Sequence, residues 1–258
     1  MRTIVLLTVM SIGSFAVAEI VEVDVFQTGG FYDGGFVDNS PTFQNYFVGY
    51  GTSPGTARTP QRRSFFWFKL DTIPDGGIVS ATLSLELPFG GLIFGLGPGT
   101  PPPPPPPDPF EEFSLCAVPF SGEAVTDPTL TLAEADAMFE AFNDVPIADP
   151  AVFILDGPPP PPVIEISIGA LGLSFLNARP LPEFVLTGWM PTWSEDLRPG
   201  VGGAPFLEAS ELIFGLTDVH TGAVAKPKLT LDITPVPEPA TIISVAALIG
   251  LGLPRRRR

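Results

Sequence analysis

The strongest constraint on the fold is a hydrophobic pattern with a period of two residues. Between residues 78 and 87, apolar side chains alternate with serine, threonine and glutamate, as in a strand that buries one face. The preceding segment 64–70 is apolar on both faces, which favours a central strand. Proline, aspartate and two glycines at residues 74–77 supply the turn between them. The two segments therefore predict a β-hairpin.

Similar strand patterns recur along the chain, with two helical interruptions. Thr131 and Glu134 form a capping box ahead of a predicted helix over residues 132–142, and residues 169–178 predict a second short helix. The pattern predicts a mainly β fold, a two-layer antiparallel β-sandwich of jelly-roll type with one or two short helices. The remaining strands are predicted at residues 19–26, 43–50, 112–118, 151–155, 163–167, 183–187, 211–216 and 228–233.

Two proline tracts divide this body, at residues 101–107 and 158–162. Consecutive prolines adopt polyproline II and cannot join the interior of a sheet. We expect both tracts to be stiff inserted loops, the second a lengthened hairpin loop between two strands. A groove-binding ligand for a partner is the alternative.

The first 18 residues have the features of a signal peptide. Arg2 gives a positive start, residues 4–17 are mostly apolar, and Ala16 and Ala18 form a small-x-small cleavage site. We expect the secretion translocon to export the chain. Cleavage after Ala18 would then make Glu19 the first residue of the mature protein. The predicted body then covers residues 19–235.

Three features follow one another in residues 236–258. A Pro237-Glu238-Pro239 motif precedes an apolar segment over residues 240–253, and a cluster of arginines comes after it. The 14 apolar residues would form a helix of about 21 Å at about 1.5 Å per residue, a short span for a bilayer that needs roughly 20 residues. Four arginines should stay cytoplasmic, and they are Arg255, Arg256, Arg257 and Arg258.

This order of features resembles the PEP-CTERM sorting signal of Gram-negative bacteria, which the membrane protease exosortase recognises. The resemblance implies an exported protein that the inner membrane holds transiently through the C-terminal transmembrane helix. The protein would then reach the cell surface or the extracellular matrix. Pro237 and Pro239 keep the motif extended, as a protease or transpeptidase requires. An ordinary C-terminal anchor is the alternative.

The body carries a second, looser resemblance. Residues 65–85 are similar to a sequence motif found in secreted bacterial β-sandwiches. These include DNRLRE-type, carbohydrate-binding-like jelly rolls and uncharacterised PEP-CTERM proteins. Lys69 stands where that motif usually has aspartate, so no polar role carries over to it. Weaker matches lie at residues 142–145, 163–178 and 213–217. The resemblance implies a scaffold and supplies no catalytic residues.

The charge of the body excludes some partners. Without the two terminal segments, 8 of the 13 basic residues and 27 of the 28 acidic residues remain, so the body carries a net charge of −19. Such a charge repels nucleic acid, which binds cationic surfaces. The single cysteine, Cys116, cannot form an internal disulfide, and its alternating context predicts a small residue packed in a strand.

The ionisable residues predict no catalytic centre. His220 is the only histidine, so a catalytic triad or a histidine-rich metal site is not expected. Carboxylates that could serve a glycosidase show no selective spacing; they are Glu111, Glu112, Glu165 and Glu195. We expect no cofactor, although the acidic, glycine-rich segment 33–39 could bind calcium loosely through its oxygen atoms; a solvated loop is the simpler interpretation.

Sugar binding would require exposed aromatic rings beside polar groups. Trp189 and Trp193 flank a proline turn, with Glu195 and Asp196 close by, and are the candidate sugar-binding pair; the alternative is that their rings cover the end of the core. Other aromatic residues in loop-like sequence are Phe31, Tyr32, Phe36, Tyr46 and Tyr50.

These observations predict a non-enzymatic cell-surface or matrix protein that exosortase sorts and processes. A carbohydrate-binding module acting in the exopolysaccharide matrix is the alternative function. A glycan-active enzyme is the third hypothesis.

Overall fold

A computed structural model describes residues 19–39, 46, 48–50, 61–70, 77–86, 92–95, 110–154, 163–178, 183–191, 210–213 and 226–234. These residues form a mainly β structure, as the sequence predicts. The predicted signal peptide, both proline tracts and the predicted sorting segment lie outside them. None of the helices in the described ranges is long and apolar enough to cross a membrane.

The described part of the chain contains strands and short helices in a simple order along the sequence. The strands before the first helix are β1 (Glu19–Tyr32), β2 (Phe36–Asp38), β3 (Val48–Tyr50), β4 (Gln61–Lys69), β5 (Ile78–Glu86), β6 (Leu92–Gly95) and β7 (Phe110–Ala117). The later elements are α1 (Gly122–Val125), α2 (Leu132–Ala141), β8 (Ala151–Ile154), β9 (Val163–Ser167), α3 (Ala170–Asn177), β10 (Glu183–Trp189), β11 (Ser210–Ile213) and β12 (Lys228–Ile233).

The strands form a nearly closed antiparallel sheet. From β9 the order runs through β5, β12 and β1 to β4, and then through β10 to β7 and β8. An isolated bridge between Ala148 and Ile168 brings the segment before β8 against the end of β9. Strand β3 pairs with the start of β4 and leads to β11 and β6. Within the described residues, the strands from β5 to β7 in this order therefore have a neighbour on each side, which limits their pairing with other chains.

Strand β1 joins two parts of this sheet, one formed by β12, β5 and β9 and the other by β4 and the strands that follow it in the order. Its first half pairs with β12 and its second half pairs with β4. The register shifts between Val25 and Gln27, so Phe26 is the extra residue of a β-bulge. Bulges bend a strand and increase its twist, and this one lets a single strand serve both parts.

Strand β4 has an apolar core on each side, which explains its two-faced sequence. Phe66 and Phe68 belong to the larger core inside the curved sheet. Phe65 and Trp67 point to the opposite face and belong to a smaller core with Val125 and other residues of the α1 and α2 region. The helices thus cover the outer face of this part of the sheet.

Both predicted helices form. In α2 the Thr131 side chain accepts from the Glu134 backbone N–H at 3.3 Å, and the Glu134 carboxylate accepts from the Thr131 N–H at 2.9 Å, which completes the predicted capping box. Helix α3 corresponds to the second predicted helix. Three short elements have no predicted counterpart: α1, a single turn capped by Ser121, and the strands β2 and β6.

The strands on either side of the second proline tract do not form a hairpin ladder within the described residues. Strand β8 pairs with β7, and β9 pairs with β5. The flanking segments do meet at the antiparallel bridge between Ala148 and Ile168, and the tract itself lies outside the described residues. The lengthened hairpin loop therefore stays a prediction.

The predicted hairpin of residues 64–70 and 78–87 does not form. Strand β4 pairs with β1, β3 and β10, whereas β5 pairs with β9 and β12. Local alternation identifies these strands, but it does not identify their partners.

Candidate functional site

The first and last strands of the described residues, β1 and β12, lie side by side in the middle of the sheet. Glu19 pairs with Ile233, and six consecutive positions of β1 and β12 are in register. Strand β5 pairs with the other side of β12, so β12 is a central strand. The predicted signal peptide and the predicted sorting segment are thus attached to neighbouring strands. The predicted sorting motif and the predicted cleavage site lie outside the described residues, as does the arginine cluster; they are Pro237, Glu238 and Pro239, Ala16 and Ala18, and Arg255, Arg256, Arg257 and Arg258.

The end of β12 is anchored by hydrogen bonds. The backbone N–H and the hydroxyl of Thr234 both donate to the Gly77 carbonyl oxygen, each at 2.9 Å. The Asn177 side chain accepts from the Ile78 N–H at 2.8 Å and donates to the Ile78 carbonyl oxygen at 2.9 Å. Because Gly77 directly precedes β5 and Ile78 begins it, helix α3 and the start of β5 together fix the point where the chain leaves the sheet.

Trp189, the first candidate sugar-binding residue, is half-buried at the end of β10. The guanidinium carbon of Arg63 lies 5.7 Å from the centre of its ring and 3.8 Å from the Phe139 ring. Cation–π contacts of this kind favour a ring that packs on the protein. Trp193, Glu195 and Asp196 lie outside the described residues, so the predicted pair of indoles stays a prediction.

The other aromatic candidates divide between core and surface. Phe31 and Tyr46 are fully buried, and Tyr32 lies 5.3 Å from the Arg62 guanidinium carbon. Phe36 has 64% of its surface exposed. Among the candidates whose side chains the structure describes, Phe36 therefore presents the largely exposed ring. Tyr50 lies in β3, and its side chain is outside that description.

Arg63 attaches α2 to the sheet. Its Nη1 donates to the Phe139 carbonyl oxygen and lies 3.9 Å from the Glu140 carboxylate. Burial lowers the pKa of the guanidinium, while Glu140 and other nearby acidic groups raise it. The contacts with the α2 carbonyls and the aromatic rings make Arg63 a structural residue.

Arg62 and Asp38 form an ion pair that no sequence pattern predicts. The Arg62 side chain is fully buried, and its Nη2 lies 3.2 Å from the Asp38 carboxylate, which is 27% exposed. Burial lowers the pKa of the guanidinium, while Tyr32 and Asp38 oppose that shift. The ion pair links β4 to β2 across β1 and fixes the hairpin of residues 33–35.

This hairpin lies within segment 33–39, the candidate for loose calcium binding. Gly34 and Gly35 have φ values of 86° and 82°, a conformation that glycine adopts without strain. Asp38 pairs with Arg62, and the Asn39 carbonyl oxygen accepts from the Gln27 amide at 2.6 Å. Protein donors thus already engage two of its oxygen groups. Across the described ranges, no group of three or more His, Cys, Asp or Glu residues is placed to hold a metal ion.

The candidate catalytic acids lie in different environments. Glu111 is fully buried in β7, and Glu112, its neighbour in the strand, points to the opposite face. Glu165 is exposed on β9, as its alternating context predicts. Glu195 and His220 lie outside the described residues. The described acids therefore supply no recognisable acid–base pair.

A compact cluster forms around Trp67 on the outer face of the sheet. Its indole N–H donates to Glu183 at 3.0 Å, and Phe26 packs edge-on with a ring separation of 4.8 Å. The Lys69 ammonium lies 3.9 Å from the centre of the Phe26 ring and 4.0 Å from that of Trp67. Lys69 stands where the sequence motif similar to residues 65–85 usually has aspartate. In this chain its ammonium group thus covers two aromatic rings.

Cys116 is fully buried in β7, as predicted. Burial raises the pKa of its thiol from 9.0 to about 11, and the hydrogen bond with the Trp189 side chain and the nearby Arg63 charge oppose the shift. The thiolate is the reactive form, so both low access and a low thiolate fraction protect this residue.

We expect Cys116 to resist a thiol reagent in the native protein at pH 8. At that pH roughly one thiol in a thousand would be ionised if accessible, given a pKa about three units higher. Absorbance on adding a thiol-specific disulfide reagent measures the reaction. The same sample in denaturant should react fully, because this is the single cysteine. Fast, complete labelling of the native protein would contradict the burial.

No family model matches the sequence, and no curated protein matches it. The functional interpretation therefore depends on the residues of this chain.

Proposed function

We propose that this chain is an exported, non-enzymatic protein of the cell surface or extracellular matrix, sorted and processed by exosortase. The observation that carries the proposal is the order of features in residues 236–258, where the Pro-Glu-Pro motif, the apolar segment and the arginine cluster follow one another. The arginines resist translocation, so the motif would lie on the outer side of the inner membrane. The apolar segment would hold the precursor there until processing.

The proposed processing step breaks one peptide bond between the motif and the arginine cluster. The carbonyl carbon of that bond takes either water or an acceptor amine as the new partner. The released amino group stays with the apolar segment. The body leaves the membrane in the first case, and it becomes attached to the acceptor in the second.

Three observations on the body support a carrier or scaffold role. The net charge of −19 favours solubility and opposes binding to nucleic acid. The arginines of β4 are buried and make structural contacts. The described acids and the single cysteine form no recognisable catalytic arrangement. We also assign the nearly closed sheet to the two-layer β-sandwich class with jelly-roll-like character, because opposing strands enclose one large apolar core.

The proposal is tested by comparing the protein in its natural host with the protein in a host strain that lacks exosortase. We expect the wild-type chain to lose its arginine cluster in the first strain and to keep it, bound to membranes, in the second. A triple change, Pro237→Ala, Glu238→Ala and Pro239→Ala, should reproduce the second result in the first strain.

The matched control is Pro235→Ala, which removes a proline just outside the motif. Its processing should equal that of the wild-type chain, since it leaves the motif intact. Equal processing in both strains would show that another protease acts on the chain and would refute the proposal.

A further inference from the structure

The sheet holds the chain firmly up to Thr234, two residues before the predicted sorting segment, residues 236–258, which is called the tail below. Strand β12 pairs on both sides, and its inward residues Leu229, Leu231 and Ile233 are buried. Detaching β12 would expose all three to water and break two ladders. Thr234 then extends the fixed region by one residue through its two hydrogen bonds to Gly77.

The chain between this anchor and the motif is short. Pro237 comes three residues after Thr234, and a fully extended chain spans at most about 3.6 Å per residue, or about 11 Å here. The folded body would therefore lie close to the motif and close to the membrane surface. A bulky enzyme would meet the body before it could surround the motif.

Peptide recognition commonly uses an extended strand whose main chain pairs with the binding partner. On the amino side of Pro237, residues 235 and 236 lie beyond the anchored Thr234. Residues further back already use their backbone groups in the β12 ladders. The folded sheet thus withholds the residues that an extended binding mode would require.

We propose that the folded body restrains the processing of its own tail, with β12 and the Thr234 anchor acting as the restraint. This inference rests on the proposed function, since it concerns the same cleavage. Processing is fast on chains in which β12 has not yet joined the sheet, and slow once the anchor has formed. Folding of the body therefore sets how long the precursor stays in the membrane.

The test is a pulse-chase measurement of tail loss in the natural host, using the full chain. One variant carries a Gly-Ser insertion of about six residues between Thr234 and Pro235, which adds roughly 20 Å of reach without changing the sheet. We expect this insertion to speed tail loss several-fold. A second variant, Asn177→Ala, removes the side chain that fixes Ile78 and should speed tail loss by a smaller factor.

Ser174→Ala is the matched control on the same helix, because Ser174 is exposed and bonds within α3. Its rate should equal that of the wild-type chain. An unchanged or slower rate for the insertion variant would overturn the restraint while leaving exosortase sorting intact. Loss of the tail from neither the wild-type chain nor the insertion variant would refute the proposed function and the restraint with it.

Discussion

Replacing Gly122 with alanine should destabilise the protein by about 3 kcal/mol, at the upper end of the usual range for overpacking. A Cβ at this position would overlap the indole ring of Trp67. The ring has little room to move, because Glu183 accepts from its N–H at 3.0 Å and also lies 3.4 Å from the Gly122 N. Phe26 and Lys69 pack on the same ring. Glycine at the start of α1 is therefore required for the helix to approach the sheet.

Thermal unfolding followed by circular dichroism measures the effect. For a domain of this size, 3 kcal/mol corresponds to a decrease in Tm of roughly 6–12 °C. Gly77→Ala is the matched control, because a Cβ there would meet nothing closer than 3.9 Å. A Tm for Gly122→Ala equal to that of the Gly77 variant would show that α1 does not pack on Trp67 as described.

Replacing Asp38 with alanine should cost about 3 kcal/mol, because it leaves the Arg62 charge buried without its carboxylate. Breaking a buried ion pair by removing one partner costs about 3 to 5 kcal/mol, and the partial exposure of Asp38 puts this site at the lower end. Arg62→Met should cost less, about 1 kcal/mol, since the remaining carboxylate can be hydrated. The double variant should recover at least half of the loss caused by Asp38→Ala, because it leaves no buried charge.

Urea denaturation of the three variants measures these free energies of unfolding. Asp24→Ala is the control, an exposed aspartate on β1, and should change stability by about 0.5 kcal/mol or less. If Asp38→Ala behaves like the Asp24 control, the ion pair does not stabilise the fold. If the double variant is less stable than Asp38→Ala, the buried charge is not the source of the cost.

Local alternation predicts the strands of this fold well where one face is buried and the other is solvated. Strands β9 and β12 form over the residues that the pattern marks, and β5 ends one residue earlier. The pattern misses the second half of β1, residues 27–32, where helices cover one face and the interior covers the other. Alternation disappears when both faces are buried, so the end of that strand could not be located.

The buried arginines could not be predicted from the sequence. Charged residues are normally exposed unless they are paired, and the partner of Arg62 comes from a short strand that the pattern does not reveal. Arg63 likewise depends on the carbonyl groups of α2, more than 70 positions away. The Arg63 guanidinium also contacts the Trp189 ring. This contact explains why Trp189 packs against the protein, although its place beside a proline turn suggests an exposed ring.

The pairing of β1 with β12 could not be predicted from local sequence patterns either. Glu19 and Ile233 each lie in a recognisable strand, but nothing in either segment identifies the other as its partner. Antiparallel register arises from the whole sheet. This pairing places the first residue of β1 beside the last residue of β12, which the sequence alone does not reveal.

Intact-mass spectrometry of the protein recovered from its natural host tests the central claim most directly. The account predicts a species that begins at Glu19 and lacks Arg255, Arg256, Arg257 and Arg258. Recovery of mature protein that still carries these four arginines would contradict it.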